Sequence, residues 1–429
     1  MDDDPLARPL TLPCGMTLPN RIAKAAMTEG LADPEDQPTA RHERLYGRWA
    51  DGGVGLAITG NIMIDRRFLE RAGNVVLDQS SHLDAFRAWA AAGTRNGARL
   101  FAQLNHPGRQ CTRASSRAPV APSAVGLDMM GLFSVPRALE EHEIRTIIRA
   151  WANAARLCQE AGFSGVQIHA AHGYLVSQFL SPMVNLRTDE WGGPLDQRAR
   201  FLLETVRAVR RAVGPRFPVA VKLNSSDFQR GGFTAVESAT VARWLADEGI
   251  DLLELSGGTY EALAFMGDAL SSYEGWSKST KAREAFFLDY AHTVRDAAPG
   301  LPMMVTGGFR SSAFMRAAVR DGELDLVGIA RPFCLVPDLA AQLLARTLDT
   351  LPTPERDLRL GPGALGPTSE SARVRGMNSQ AEVAFFYAQL IELAEGRGPR
   401  VSLGARRALL EHVRGELSRS RARKFQSGT

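Results

Sequence analysis

The sequence predicts a (β/α)8 TIM barrel, an α/β fold, followed by a C-terminal helical extension. Three observations carry this. Short apolar strand patterns alternate with amphipathic helical patterns, which argues for a parallel sheet covered by helices. The strand patterns number eight, the count at which such a sheet closes on itself. They are spent near residue 350 of 429, which gives room for one barrel. An open doubly wound sheet is the alternative, but no G-x-G-x-x-G follows the first strand to support its dinucleotide-binding version. The expected division is residues 1–350 for the barrel and 351–429 for the extension.

The predicted strands are 22–27, 54–59, 99–104, 166–169, 219–223, 252–255, 303–306 and 324–329. Helical periodicity lies between them, for example at 83–96, 144–161, 198–213, 236–248 and 282–297. Gly or Pro marks the approach to several strands: Gly97, Gly162, Pro218, Gly249 and Pro302. The irregular segment 105–137 is rich in Pro and Ser, and an insertion of that length after the third strand is expected to lie over the barrel mouth.

After residue 350 the composition changes. Pro, Gly and Ser are dense over 352–367, and two helical stretches follow at 381–394 and 405–417. The first has an apolar face that includes Val383, Phe386, Leu390 and Ile391. The end, SRSRARKFQSGT, is basic and expected to be mobile. A helical cover for the barrel or for a neighbouring subunit is expected of this region.

Composition narrows the class. Apolar residues make up 45%, ordinary for a globular protein. The net charge of +4 is small for this length and gives no reason to expect a nucleic acid. The pI near 9.0 comes from arginine spread along the chain. MDDDPLARPL is acidic and has no apolar core, so it does not read as a secretory leader. No run of about 18 apolar residues predicts a membrane span. Cys14, Cys111, Cys158 and Cys334 form neither a CxxC pair nor a disulfide framework, which fits a cytoplasmic location. Their spacing also excludes an ordinary four-cysteine iron–sulfur motif.

Polar residues interrupt the strands at one end, where barrels of this kind gather their active sites. Strand two runs into Gly60 and Asn61. Strand three carries Gln103 and Asn105, two apart and so on one side. Strand four ends in His169, strand five carries Lys222 and Asn224, strand seven runs into Gly307 and Gly308, and strand eight into Arg331. The stretch after strand four is the richest: His169, His172 and Tyr174 fall within six positions. Imidazoles donate hydrogen bonds and a neutral phenol holds a transferable proton. Together they suit gripping a carbonyl-like oxygen and protonating a nearby carbon. Zinc would need a further Cys or carboxylate at ligand spacing, and none is near, so no metal is expected. The bland reading is that these polar groups merely finish a strand.

VTGGFR, residues 305–310, sets two glycines between a strand and a helix. Glycine lets backbone N–H groups approach an anion, and Arg331 after the next strand is placed to grip phosphate oxygens in bidentate fashion. Loops after strands seven and eight are the frequent phosphate site of this barrel. On spacing alone a sugar phosphate would serve as well as a nucleotide, and a sugar-phosphate lyase or isomerase stays open.

The run HAAHGYL, with SQFLSP, N-x-RTDEWGG and RARF after it, resembles the flavin-dependent old yellow enzyme family. So do GMTLPNRIAKAAMTEG, QLNHPGRQ, VKLNSSDFQRGGF, VTGGFR and IARPFCLVPDL, in order over residues 8 to 345. The resemblance implies FMN as cofactor and NADH or NADPH as reductant. It implies Ala26 and Thr28 at the flavin's pyrimidine edge and Gln103 and Lys222 on the ring's polar side. Gly308, Phe309, Ala330 and Arg331 would hold the phosphate, and Asn61 and Gly307 complete the cofactor-side set. His169 and His172 would hold the oxygen of an α,β-unsaturated carbonyl compound, and Tyr174 would supply the proton. The implied activity is NAD(P)H-dependent reduction of that compound's activated C=C bond. A flavin-binding NAD(P)H oxidase or sensor without a dedicated alkene substrate is the alternative. The expected partner is a small enone-type molecule, and a homo-oligomer is compatible with the sequence.

Three positions depart from the family's better-known patterns. Lys222 stands where many relatives have arginine, which keeps the charge and loses the fork. Thr28 matches a cysteine of one branch. Asn105 stands where some members have tryptophan, which implies a roomier pocket.

Overall fold

The computed structural model describes residues 4–113, 115–116, 118–127, 131–227, 229–256 and 290–427. Eight strands form one parallel sheet: β1 (Ile22–Lys24), β2 (Leu56–Ile58), β3 (Arg99–Asn105), β4 (Gly165–Ala170), β5 (Val219–Asn224), β6 (Leu252–Ser256), β7 (Met303–Thr306) and β8 (Leu326–Ile329). Each pairs in parallel with the next, and β8 pairs with β1 to close the barrel. All eight predicted strands are present. β1 is shorter than expected, because the chain leaves the sheet after Lys24 and carries Ala26 and Thr28 onto the rim.

The helices are α1 (Ala40–Asp51), α2 (Leu83–Gly93), α3 (Glu141–Glu160), α4 (Leu175–Leu180), α5 (Leu195–Val213), α6 (Ala235–Asp247), α7 (Ser312–Arg320), α8 (Leu339–Leu344), α9 (Ala372–Ala394) and α10 (Ala405–Ser427). The predicted helix at 282–297 lies outside the described residues except for 290–297, which is helical. Local chemistry sets the ends. Thr234 caps α6: its Oγ1 accepts from Glu237 N at 3.2 Å while Glu237 Oε2 accepts from Thr234 N at 2.9 Å, the reciprocal capping box. The glycines that approach strands are helix stops. Gly162 and Gly249 have φ of 87° and 71°, conformations that terminate a helix without a Cβ penalty.

Period-two alternation sorts each strand's residues between two cores. Outward residues such as Val166, Ile168, Val219 and Val221 pack under the helices. Inward residues Ala23, Leu56, Phe101, Ala220, Leu252, Met304 and Leu326 fill the barrel's lower half with Leu10, Leu12 and Leu18. The antiparallel hairpin of Leu10–Thr11 and Thr17–Leu18 supplies two of those three. This apolar floor leaves the upper inward positions of the barrel to polar side chains.

The extension is docked on the barrel. Arg44 and Arg48 of α1 donate to the carbonyls of Ala394 (2.6 Å) and Leu393 (3.3 Å) at the end of α9. In the basic end, α10 continues to Ser427. Arg423 grips Asp36 through Nε at 2.9 Å and Nη2 at 3.1 Å. Among the described residues, no helix is long and apolar enough to cross a membrane.

Candidate active site

Above the floor, β3 to β6 each contribute two further inward residues. Gln103, Gln167, Lys222 and Glu254 form one polar layer. Asn105, His169, Asn224 and Ser256 form the next. All eight are buried.

The lower layer is a closed network. Gln103 Nε2 donates to Gln167 Oε1 at 2.7 Å, and Gln167 Nε2 donates to Glu254 Oε2 at 2.7 Å. Lys222 Nζ meets Glu254 Oε1 at 2.7 Å, with both side chains almost fully shielded. Lys222 and Glu254 are Cα partners in the β5–β6 ladder, so strand register brings them together. The cation read from the sequence is thus one half of a neutral pair. Gln167 and Glu254 were missed, although each lies two residues before a functional position on its own strand (His169 and Ser256).

The upper layer forms a second chain. His169 Nδ1 is 2.9 Å from Asn61 Oδ1, and Asn61 Nδ2 donates to Glu70 Oε2 at 3.0 Å. His169 Nε2 is 3.1 Å from His172 Nδ1, and His172 Nε2 is 2.8 Å from Ser256 Oγ. The Tyr174 ring lies 4.7 Å from that of His169, tilted by 60°. The structure therefore gathers His169, His172 and Tyr174 at one spot. It sets Asn61 against His169.

His172 has φ of 60° and Gly173 φ of 75°. Two successive left-handed residues turn the chain back over the strand end, a conformation that costs a non-glycine residue on the order of 1 kcal/mol or more. Two hydrogen bonds hold it there. Asn224 Oδ1 accepts from His172 N at 3.1 Å, and Gln110 Nε2 donates to His172 O at 2.8 Å. Burial holds the His169 imidazole well below its usual pKa, with lesser pushes from His172 and Lys222. Burial, then Lys222, pushes His172 down to about 3. Both rings are neutral at pH 7, which makes them hydrogen-bonding groups rather than cations.

Behind the rim lies a support that the sequence reading missed. Lys24 points out of the barrel, and its Nζ donates to Ile58 O at 2.7 Å and Tyr46 OH at 3.3 Å. Burial pushes its pKa down to about 8. Tyr46 OH bonds Glu29, and Glu29 Oε1 accepts from Gly60 N at 2.9 Å. This ties the segment bearing Ala26 and Thr28 to the one bearing Asn61. A lysine in an apolar strand was the available signal.

At the β7 and β8 ends a cleft is lined by Thr306, Gly307, Gly308, Phe309, Ala330 and Arg331, among others. Gly307 and Gly308 have φ of 114° and 81°, which an L side chain adopts only with strain. Thr306 Oγ1 is buried there without a hydrogen-bond partner among the described residues, and a Cβ on Gly328 would collide with it. A backbone cradle with an unsatisfied hydroxyl and a guanidinium beside it fits a phosphate group. Both arginines of the cleft are tied to acids from beyond residue 350: Arg310 Nη2 to Glu355 Oε1 at 2.7 Å, and Arg331 to Glu382 of α9. These residues fit the phosphate of FMN, and the inward polar layers fit the hydrogen-bonding edge of its ring. Among the described residues, no cluster of His, Cys, Asp or Glu could hold a metal ion.

Comparisons with known proteins agree with this geometry. The model of the NADH:flavin oxidoreductase / NADH oxidase family matches residues 5–348. The chain is 40% identical over 349 residues to the NADH-dependent flavin oxidoreductase iliE of Hypocrea jecorina, covering 77% of this chain and 86% of that protein. It is 38% identical over 357 residues to iliE of Neonectria sp., where the match covers 79% of this chain and spans 46% of the relative's length. Among solved structures it is similar to the old yellow enzyme homologue of Zymomonas mobilis, with a TM-score of 0.67 and 26% identity over 81% of this chain and 94% of that one.

Proposed function

Because the chain belongs to the NADH:flavin oxidoreductase / NADH oxidase family and shares the barrel of the old yellow enzymes, we propose that it reduces the activated C=C bond of α,β-unsaturated carbonyl compounds. FMN held by the cleft and the inward polar layers would supply hydride transfer from NADH or NADPH to the substrate's β-carbon. The barrel, residues 1–350, carries this chemistry, and residues 351–429 brace its phosphate end.

One observation supports this reading above the others: His169, His172 and Tyr174 converge at the end of β4. Binding a flavin has no use for a placed phenol beside a hydrogen-bonding imidazole pair, whereas alkene reduction is accelerated by both. The imidazole pair fixes the substrate's carbonyl oxygen, which draws electron density from the alkene as negative charge develops on that oxygen. Tyr174, whose phenol holds a transferable proton, delivers it to the α-carbon. Gly307, Gly308, Phe309, Ala330 and Arg331 hold the phosphate. Gln103 and Lys222 meet the ring's polar side, and Ala26 and Thr28 its pyrimidine edge. Asn61 acts in this reading through His169, which its Oδ1 meets at 2.9 Å.

The test is turnover of the FMN-loaded protein with cyclohexenone and NADH or NADPH, against the same mixture with oxygen as sole acceptor. Faster nicotinamide oxidation with the enone, and saturated ketone as product, supports the proposal. Equal rates with no saturated product would make the protein an NAD(P)H oxidase or sensor.

A further inference from the structure

We infer that Asn61 and Glu70 are positioning residues that lock His169 in its Nδ1–H tautomer in the substrate-free site, so that His169 Nε2 accepts from His172 Nδ1 and holds that N–H until a substrate oxygen displaces it. The inference rests on the reading of His169 and His172 as the oxygen clamp, and follows the direction of each hydrogen bond along one buried chain.

The chain starts at Glu70. Its Oε1 is ion-paired with Arg71 Nη2 at 3.1 Å, and its Oε2 faces the Asn61 side chain at 3.0 Å. A carboxylate only accepts, so the Asn61 amide must present Nδ2 to it. Turning the amide over would set its oxygen against the carboxylate, two acceptors in a buried site. Asn61 Oδ1 therefore faces His169 Nδ1, 2.9 Å away. An amide oxygen also only accepts, so Nδ1 carries the proton. A neutral imidazole with hydrogen on Nδ1 has a lone pair on Nε2. That lone pair faces His172 Nδ1 at 3.1 Å, so His172 is the donor and keeps its own lone pair on Nε2, where the Ser256 hydroxyl donates across 2.8 Å. Asn61, Glu70, His169 and Ser256 are each at least nine-tenths buried, so water does not scramble the order.

The two imidazoles are thus not equivalent. His172 donates, and His169 orients it as an acceptor. A substrate oxygen reaches an imidazole N–H here only by breaking the His172 Nδ1 to His169 Nε2 hydrogen bond. The lock acts across the barrel, because Asn61 follows β2 and His169 ends β4.

The experiment is 15N–1H correlation spectroscopy of the FMN-loaded protein with 15N-labelled histidine. Ring-nitrogen shifts separate the two tautomers, and a His169→Asn sample assigns the signals. The expected wild-type spectrum has His169 protonated on Nδ1 and bare on Nε2. Asn61→Ala and Glu70→Ala should each populate the Nε2–H form. Glu70→Gln keeps an acceptor for Asn61 Nδ2 and should restore the wild-type pattern, which a merely structural role would not predict. A wild-type His169 protonated on Nε2, or an unchanged tautomer in both alanine variants, overturns the lock. The wild-type spectrum alone decides if the variants do not fold. Failure of enone turnover with the tautomer as expected would instead count against the oxygen-clamp reading and leave the lock standing.

Discussion

The two ends of the proposed flavin site are built by different means. The ring end consists of side chains pointing inward from β3 to β6, buried and, apart from Asn105, linked in hydrogen-bonded chains. The phosphate end consists of backbone at Gly307 and Gly308 with arginines on the rim. Those arginines are tied to Glu355 and Glu382, outside the barrel strands. The Lys222 side chain is 4% exposed and that of Arg331 is 43%. Electrostatic interactions are strong and poorly screened in the first setting and weak in the second. Damage to the ring end should therefore propagate through the network, whereas damage to the phosphate end should stay local.

The largest expected effect is at the ring end. Tyr174→Phe keeps the ring and removes the hydroxyl, so packing should change little. General acid catalysis contributes about 10²–10⁴-fold, and alkene reduction should fall toward that range while reduction of the flavin by nicotinamide stays within a few-fold. Stopped-flow measurement of both half-reactions decides it. Wild-type enone reduction in the mutant would remove Tyr174 as the acid, and equal losses in both halves would move its role to cofactor or nicotinamide positioning.

Next comes the buried pair. Lys222→Met leaves Glu254 charged without its partner, which typically costs about 3–5 kcal/mol. Adding Glu254→Leu should recover most of that loss. Urea unfolding of the single and double variants checks it. A single variant as stable as wild type would mean the pair contributes no coupling.

At the phosphate end the expected loss is smaller and confined to affinity. Arg331→Ala removes a charge-assisted hydrogen bond worth on the order of 1.5–3 kcal/mol, or roughly ten- to hundredfold in FMN binding. Stability without FMN should change by less than about 1 kcal/mol, as for other exposed ion pairs. Titration of apoprotein with FMN is the measurement, and unchanged affinity would refute the phosphate role.

Acid should sharpen the same contrast. Burial pushes His172 down to about 3, His42 to about 3 and His106 to about 4, from an ordinary value near 6.5. A depressed folded-state pKa means that the unfolded chain takes the proton first. Stability is then full above pH 6.5 and falls as pH drops toward 4, by about 2 kcal/mol per imidazole at pH 5. Unfolding midpoints compared at pH 7 and pH 5 test this. His106→Gln should flatten the slope, and an unchanged slope would remove His106 from the account.

Much of the architecture was legible because strands and helices write different periods into a sequence. Eight apolar runs separated by amphipathic helices allow few alternatives, and polar residues at one end of successive runs pointed to the active face. The i, i+2 rule found Asn105 beside Gln103 and Asn224 beside Lys222. Applied to every strand it would also have found Gln167 and Glu254. Glu70 carries no such mark. It lies in an irregular segment, and only the fold brings it to Asn61.

By itself the sequence determined the class of fold, the strand ends that bear the site, and the residue types available there. Periodicity states which face of its own element a residue occupies, and nothing more. Barrel closure and register decided the partners. Lys222 meets Glu254 because their strands align at that level, and Asn61 meets His169 across 108 residues. Arg331 meets Glu382 because α9 folds back over the phosphate cleft. Each of these contacts depends on where two separate elements come to rest, and that position is set by the packing of the whole chain.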